Sequence, residues 1–232
     1  MGTPDLIFCF NNSPALTQIA LNYGFLYGHR TSQAPLPNLQ PAFLDLDHRH
    51  PERDWHRHLA LTLEHHPRYA IAGDATTPQE LDEALRRARL LHAASPLTLL
   101  IIVPKTLDLI NNTPTEFPFV TGYSLPTEFG ATQAPPQAYR SAVHRRLIHI
   151  LGGPPRAQLQ AAHQIDPTLK LITSVDTNAH VKAAQHGTYW DAFANRWKRM
   201  PLNTSKVTQD CLMPAFARSS RSIQQAWKIW SR

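Results

Sequence analysis

Short apolar runs rich in strand-forming residues recur along this chain, and each is followed by a segment with helical period. Such runs suit strands of a parallel sheet, which are covered on both faces and need a crossover between neighbours. They are read at Leu6–Phe10, Ala42–Leu46, Tyr69–Ala72, Leu97–Val103, Phe117–Thr121, Leu147–Leu151 and Leu169–Val175, with a very short eighth at Thr188–Trp190. Ser13-Pro14 reads as an N-cap with proline in the first turn, predicting a helix from Pro14 to Tyr23. Thr77-Pro78-Gln79-Glu80 is a capping box leading to Leu81, Leu85, Ala88 and Leu91 on one face. Further helices are expected near Trp55 to Glu64, before His163, and from Ala179 to Gln185. The alternation predicts an α/β fold, either a closed barrel or an open doubly wound sheet. Seven to eight parallel strands favour a TIM-like (β/α) barrel. The barrel is expected over residues 1–195, with a basic C-terminal helical segment at 196–232 packed on it.

The ends of the runs carry the chemistry. Asn11-Asn12 follow the first, Asp45-Leu46-Asp47 end the second, and Gly73-Asp74 end the third. Lys105 follows the fourth, Gly122-Tyr123-Ser124 the fifth, Gly152-Gly153 the sixth, and Ser174-Val175-Asp176 end the seventh. Parallel barrel strands aim their carboxyl ends at one mouth, so these residues are expected to converge there. Single Asp or Gly residues suit turns, but three strands delivering carboxylates and a fourth a lysine are poorly explained that way. Gly152-Gly153-Pro154-Pro155 before a helix could admit a phosphate or a base carbonyl, or could simply be a turn. The long Pro-rich stretch from Tyr123 to Ser141 has the length of a functional loop.

Charge is distributed unevenly. Residues 196–232 hold eight of the 23 Lys and Arg but only one acid, giving +7 there and about −1 elsewhere. An anionic partner docking near that segment is one reading, and a solvated basic helix is the other. Trp197, Trp227 and Trp230 could stack on bases or pack in the core. No run reaches the roughly 18 apolar residues that cross a bilayer, and the start lacks a basic cluster before its apolar run. A cytoplasmic protein without a membrane partner is expected. Cys9 and Cys211 build neither a disulfide framework nor a Cys-cluster zinc site. His50, His56 and His58 with Asp47 could face a metal, but a polar loop and an exposed helix face account for them better. No metal or cofactor is expected.

Six segments together carry a resemblance: Gly24-Phe25-Leu26-Tyr27-Gly28-His29-Arg30, Phe43-Leu44-Asp45-Leu46-Asp47, Val103-Pro104-Lys105, Gly122-Tyr123-Ser124-Leu125-Pro126-Thr127, His149-Ile150-Leu151-Gly152-Gly153 and Ser174-Val175-Asp176-Thr177-Asn178. They resemble an uncharacterised family of phage and bacterial proteins, which is distantly similar to the tRNA-guanine and DNA deazaguanine transglycosylases. That resemblance implies Asp176 as the nucleophile on the sugar carbon. It implies Asp45 as the carboxyl that moves the proton, with Asp47 in reserve. Asp74 would read the guanine edge, Gly122 would bind through its backbone, and Lys105 stands where the family commonly has a polar amide. Tyr123 is assigned a stacking role, and Gly152 and Gly153 a close approach to the base. Arg196, Lys198, Arg199 and Lys206 are the expected nucleic-acid contacts. The transglycosylases on tRNA carry a three-Cys, one-His zinc site near the C-terminus. This chain has only Cys211 there, so DNA or a nucleoside is favoured over tRNA, with a free guanine or deazaguanine base as co-substrate. Two other readings stand beside it: a barrel hydrolase on a small sugar or phosphorylated substrate, and an inactive nucleic-acid-binding barrel.

Overall fold

The computed structural model describes residues 3–9, 13–46, 51–114, 119–125, 130–143, 146–201 and 209–231. In chain order the elements are β1 (Asp5–Cys9), α1 (Pro14–Asn22), β2 (Leu26–Arg30), β3 (Phe43–Asp45), α2 (Pro51–His65), β4 (Tyr69–Ala75), α3 (Pro78–Ala94), β5 (Leu99–Pro104), α4 (Leu107–Asn111), β6 (Val120–Ser124), α5 (Pro136–Ala142), β7 (Ile148–Leu151), α6 (Pro155–Ile165), β8 (Ile172–Asp176), α7 (Ala179–Gln185), β9 (Thr188–Asp191), β10 (Arg196–Arg199) and α8 (Gln209–Trp230). Strands β1 to β8 form a closed barrel, each pairing in parallel with the next. Pairing of β1 with β8, Leu6 opposite Val175, closes it.

Local signals set the helices where the sequence places them. Ser13 accepts the Leu16 amide with Pro14 behind it. Thr77 and Glu80 form the reciprocal capping box, and Leu81, Leu85, Ala88 and Leu91 are buried. Side chains on successive strand residues alternate between interior and exterior. Phe43 of β3 stacks on His149 of β7, 5.5 Å between centroids, so both point into the barrel. Tyr69 of β4 donates to Asp5 of β1 at 2.7 Å near the amino end. Phe8 points outward, against Phe216 of α8 and His180 of α7.

The eighth barrel strand is not the one expected. Thr188–Asp191 pairs antiparallel with Arg196–Arg199 in a separate two-stranded sheet. The barrel position belongs to Leu26–Arg30, whose Leu-Tyr-Gly-His-Arg sequence hides its strand character. Gly28 is an inward position where a Cβ would lie 2.9 Å from Ile7 and 3.1 Å from Phe43. Tyr27 and His29 are buried outside the wall, and Leu36 donates its amide to the Tyr27 hydroxyl at 3.2 Å. No helix follows β2; the segment 31–42 takes that place, tied to α2 by Thr31 against His58 at 2.7 Å. The basic residues at 196–199 therefore lie on a strand, and the helix of the C-terminal segment is α8.

Candidate active site at the barrel mouth

Asp45, Asp74, Lys105 and Asp176 end or follow four different strands and lie at the carboxyl end of the barrel. Lys105 Nζ sits 2.8 Å from Asp74 Oδ2 and also donates to the Gly130 carbonyl at 3.2 Å. Arg30 Nε lies 3.4 Å from Asp45 Oδ2. Burial pushes Asp45 up to about 6; Arg30 opposes the rise, and the neighbouring carboxylates of Asp176 and Asp74 add to it. Asp45 thus lies within the field of the carboxylates that end β4 and β8. Cys9 lies there too, its thiol pushed well up by burial and by Asp45 and Asp176.

Asp176 is fixed from several directions. Its Oδ1 accepts the Gly152 amide at 3.1 Å and lies 3.2 Å from His149 Nε2. The buried Gln158 side chain of α6 donates to the carbonyls of both Gly152 and Asp176, at 2.7 and 2.8 Å. Gly152 and Gly153 adopt positive φ, and a Cβ on Gly153 would strike Leu125 at 2.7 Å. The glycine pair is therefore used to pack the loop and to bond Asp176. Pro154 and Pro155 at the start of α6 further reduce the free N–H groups there.

Gly122 also faces inward, where a Cβ would lie 2.7 Å from Val103 and 2.8 Å from Leu151, and its carbonyl accepts from Tyr139 at 2.9 Å. Strand alternation then turns Tyr123 outward. Its ring packs edge-on to Tyr139 and its hydroxyl donates to the Ala134 carbonyl at 3.1 Å, so the structure does not bring it to the mouth. Beside the mouth a cleft of about 460 Å³ is lined by Asp74, Lys105, Glu83, Arg87 and Gln133 among others. Gly130, Ala131 and Gln133 of its wall come from the Pro-rich loop singled out in the sequence.

The remaining candidates lie elsewhere. Asp47, His48, His50 and Lys206 fall outside the described residues. His56 is exposed on α2, whereas His58 is buried against Thr31, so the two do not share a ligand face. Lys198 is bound by Asp191 at 2.6 Å, and Arg196 and Arg199 are exposed. Arg199 pairs with Thr188, which follows α7 directly. A helix returning from a barrel strand ends at the amino side, so this residue starts from the side opposite the mouth. Trp227 is buried and Trp197 packs edge-on to Trp190, while Trp230 meets His163. No helix among the described residues is long and apolar enough to cross a membrane.

Residues 20–230 match the model of a family of unknown function, DUF6610. The chain belongs to that family. A search of curated proteins finds no match to this DUF6610 member. Among solved structures it is similar to a thiamine phosphate pyrophosphorylase from Pyrococcus furiosus, with 10% identity, a TM-score of 0.47, and 98% of this chain against 96% of that one. It is also similar to an N-(5'-phosphoribosyl)anthranilate isomerase from Pyrococcus furiosus, with 10% identity, a TM-score of 0.32, and 94% against 98%.

The residue pattern gives His149, Gln158 and Arg30 no role in the site, and brings in Ser174 only as part of the end of the seventh run. A signal for His149 was there: a lone polar residue inside Ile148-His149-Ile150, on the parity that faces the barrel interior.

Proposed function

We propose that this barrel breaks and re-forms an N-glycosidic bond on nucleic acid, as a guanine or 7-deazaguanine transglycosylase does, with Asp176 as nucleophile and Asp45 as proton carrier. One observation carries the reading: two carboxylates from different strands meet electrostatically at the mouth in contrasting environments. Asp45 is raised to about 6 and holds a proton at slightly acid pH. Asp176 is oriented by a backbone N–H. Pairs of carboxyls in unequal environments divide acid and nucleophile roles between them.

The steps balance. Asp176 attacks the sugar C1′ as the C1′–N bond breaks, the bonding pair leaves with the base, and Asp45 supplies a proton to the departing base. The result is a sugar ester of Asp176. The incoming base then gives its N–H proton to Asp45 while its nitrogen takes C1′, and Asp176 departs as carboxylate. Water in place of the base makes the same cycle an excision. The Asp74–Lys105 pair offers a hydrogen-bond acceptor and a donor to the base edge. A polynucleotide's target nucleotide must leave its stack to reach a barrel mouth. This substrate class rests on the resemblance and not on the basic strand β10, which starts from the opposite side. A phosphate at the Gly152-Gly153 turn is less favoured, because the Gly152 amide already serves Asp176.

The test is mass spectrometry of nucleosides from DNA and tRNA incubated with the protein and a free deazaguanine base. Exchange or release of guanine is expected, stronger on DNA, and absent in Asp176→Asn with DNA affinity retained. Exchange persisting in that variant defeats the assignment, as does turnover confined to small phosphorylated or sugar substrates.

A further inference from the structure

His149 is a buried group that the two-carboxylate scheme leaves without a role. Its ring is inside the barrel, fully buried, stacked on Phe43 at an interplanar angle of 26°. Nδ1 lies 2.8 Å from the buried Ser174 hydroxyl. Nε2 is buried without an aligned hydrogen bond, and Asp176 Oδ1 lies 3.2 Å away. Ser174 and Asp176 share one parity on β8, so one strand supplies both the group that orients the ring and the carboxylate beside it.

From this chain of contacts we infer that His149 is a positioning residue for Asp176, resting on the proposed role of Asp176 as nucleophile. Ser174 donates to Nδ1, which leaves the ring proton on Nε2, 3.2 Å from Oδ1. The Gly152 amide binds the same oxygen. Oδ1 is thereby the held oxygen, and Oδ2, which makes no hydrogen bond among the described residues, is the one offered to the sugar carbon. Phe43 keeps the ring from turning, and Gln158 keeps the Gly152 loop against the end of β8.

The arrangement bears on both halves of the cycle. Attack needs one carboxylate oxygen aligned with C1′, and a nucleophile free to rotate loses that alignment. In the second half Asp176 is the leaving group, and the Gly152 N–H on Oδ1 with the His149 N–H beside it stabilise the charge returning to it. Neither effect requires His149 to touch the substrate. Approaches of this kind are often loose before substrate binds and tighten afterwards.

Two measurements test it. The first needs no substrate: ¹⁵N NMR of histidine-labelled protein reports the His149 tautomer. Nε2–H is expected in the wild type, with a shift toward Nδ1–H in Ser174→Ala and in Asp176→Asn. A wild-type Nδ1–H tautomer overturns the inference whatever the reaction proves to be. The second uses base exchange on a guanine-labelled DNA duplex. His149→Phe is expected to lower kcat about a hundredfold with KM within about threefold, as a misplaced reacting group does. His149→Gln, which keeps a side-chain donor, is expected to retain most of kcat. Equal loss in both variants at unchanged thermal stability overturns the inference. No exchange by the wild type defeats the reaction proposed above and leaves the tautomer experiment to decide the role of His149.

Discussion

Replacing Asp45 with Asn should separate what the carboxylate does for the reaction from what it does to the fold. Its acidity is weakened from 3.8 to about 6. A shift of roughly two units corresponds to about 3 kcal/mol at 1.36 kcal/mol per unit. The sign follows from proton binding: the folded state holds the Asp45 proton more tightly than the unfolded chain. Stability is therefore unaffected by this group below about pH 4, falls as pH rises through the window from about 4 to 6, and stays lowered above it. The Asp45 side chain is 26% exposed, so solvent screening trims the figure. The attraction to Arg30 is already contained in that net shift, as one of the influences that lower it. The net expectation is that Asp45→Asn is more stable than wild type by about 1–2 kcal/mol at pH 7.5, with at most about half that gain at pH 5. Urea unfolding of both proteins at the two pH values measures it. Taking the difference between variants cancels the buried histidines, which titrate in both. A gain that is the same at both pH values, or a loss at pH 7.5, would refute the reasoning. Loss of base exchange in the same variant would mark Asp45 as a group retained for chemistry at the expense of stability.

Burial holds His29 at about 4 and His58 and His180 at about 3, each below the ordinary 6.5. The unfolded chain binds those protons more tightly, so stability should fall as pH drops below 6.5, by about 2 kcal/mol per histidine at pH 5; a flat urea midpoint from pH 7.5 to 5 would contradict this. Both ring nitrogens of His180 are buried without hydrogen bonds among the described residues, between Phe8, Phe25 and Phe216. His180→Phe should therefore stabilise the protein at pH 7 by about 1 kcal/mol or more, and a lower melting temperature would disprove that. Lys105→Met strands Asp74 and should cost about 3 kcal/mol, with Lys105→Met/Asp74→Leu recovering most of it in chemical denaturation; equal cost in single and double variants would refute the pairing argument. Gly122→Ala drives a methyl into Val103 and Leu151 and should destabilise by about 1–3 kcal/mol, whereas a neutral change in urea midpoint would show that the interior gives way.

Much of the architecture was legible because rhythm and caps agree. The apolar runs give seven of the eight barrel strands to within a few residues, and Ser13-Pro14 and the Thr77 box fix two helix starts. The missed strand has an identifiable cause. Leu26–Arg30 buries Tyr27 and His29 on its outer face and leaves glycine on its inner one, so an apolar-run criterion does not see it. Thr188–Trp190 looked like a strand and is one, but nothing local tells a strand which sheet it joins. The ends of the runs place Asp45, Asp74, Lys105 and Asp176 at one end of the barrel because its topology gathers strand ends. The Tyr123 role failed to emerge because inside and outside depend on parity, which Gly122 sets. Gln158 acts through backbone contacts that leave no trace in residue type, and the partner of Ser174, named only as part of a run end, is set by strand pairing.

The packing of α8 over Phe8 joins the beginning of the chain to a stretch two hundred residues later. During synthesis β1 emerges early, and α1 and β2 soon after it, yet the rings of His180 and Phe216 reach Phe8 only when the last quarter of the chain has left the ribosome. The nascent chain must carry a half-covered first strand through most of translation. Polypeptides released before the segment around Phe216 should thus be caught by holding chaperones and proteases, not accumulate as a smaller working barrel.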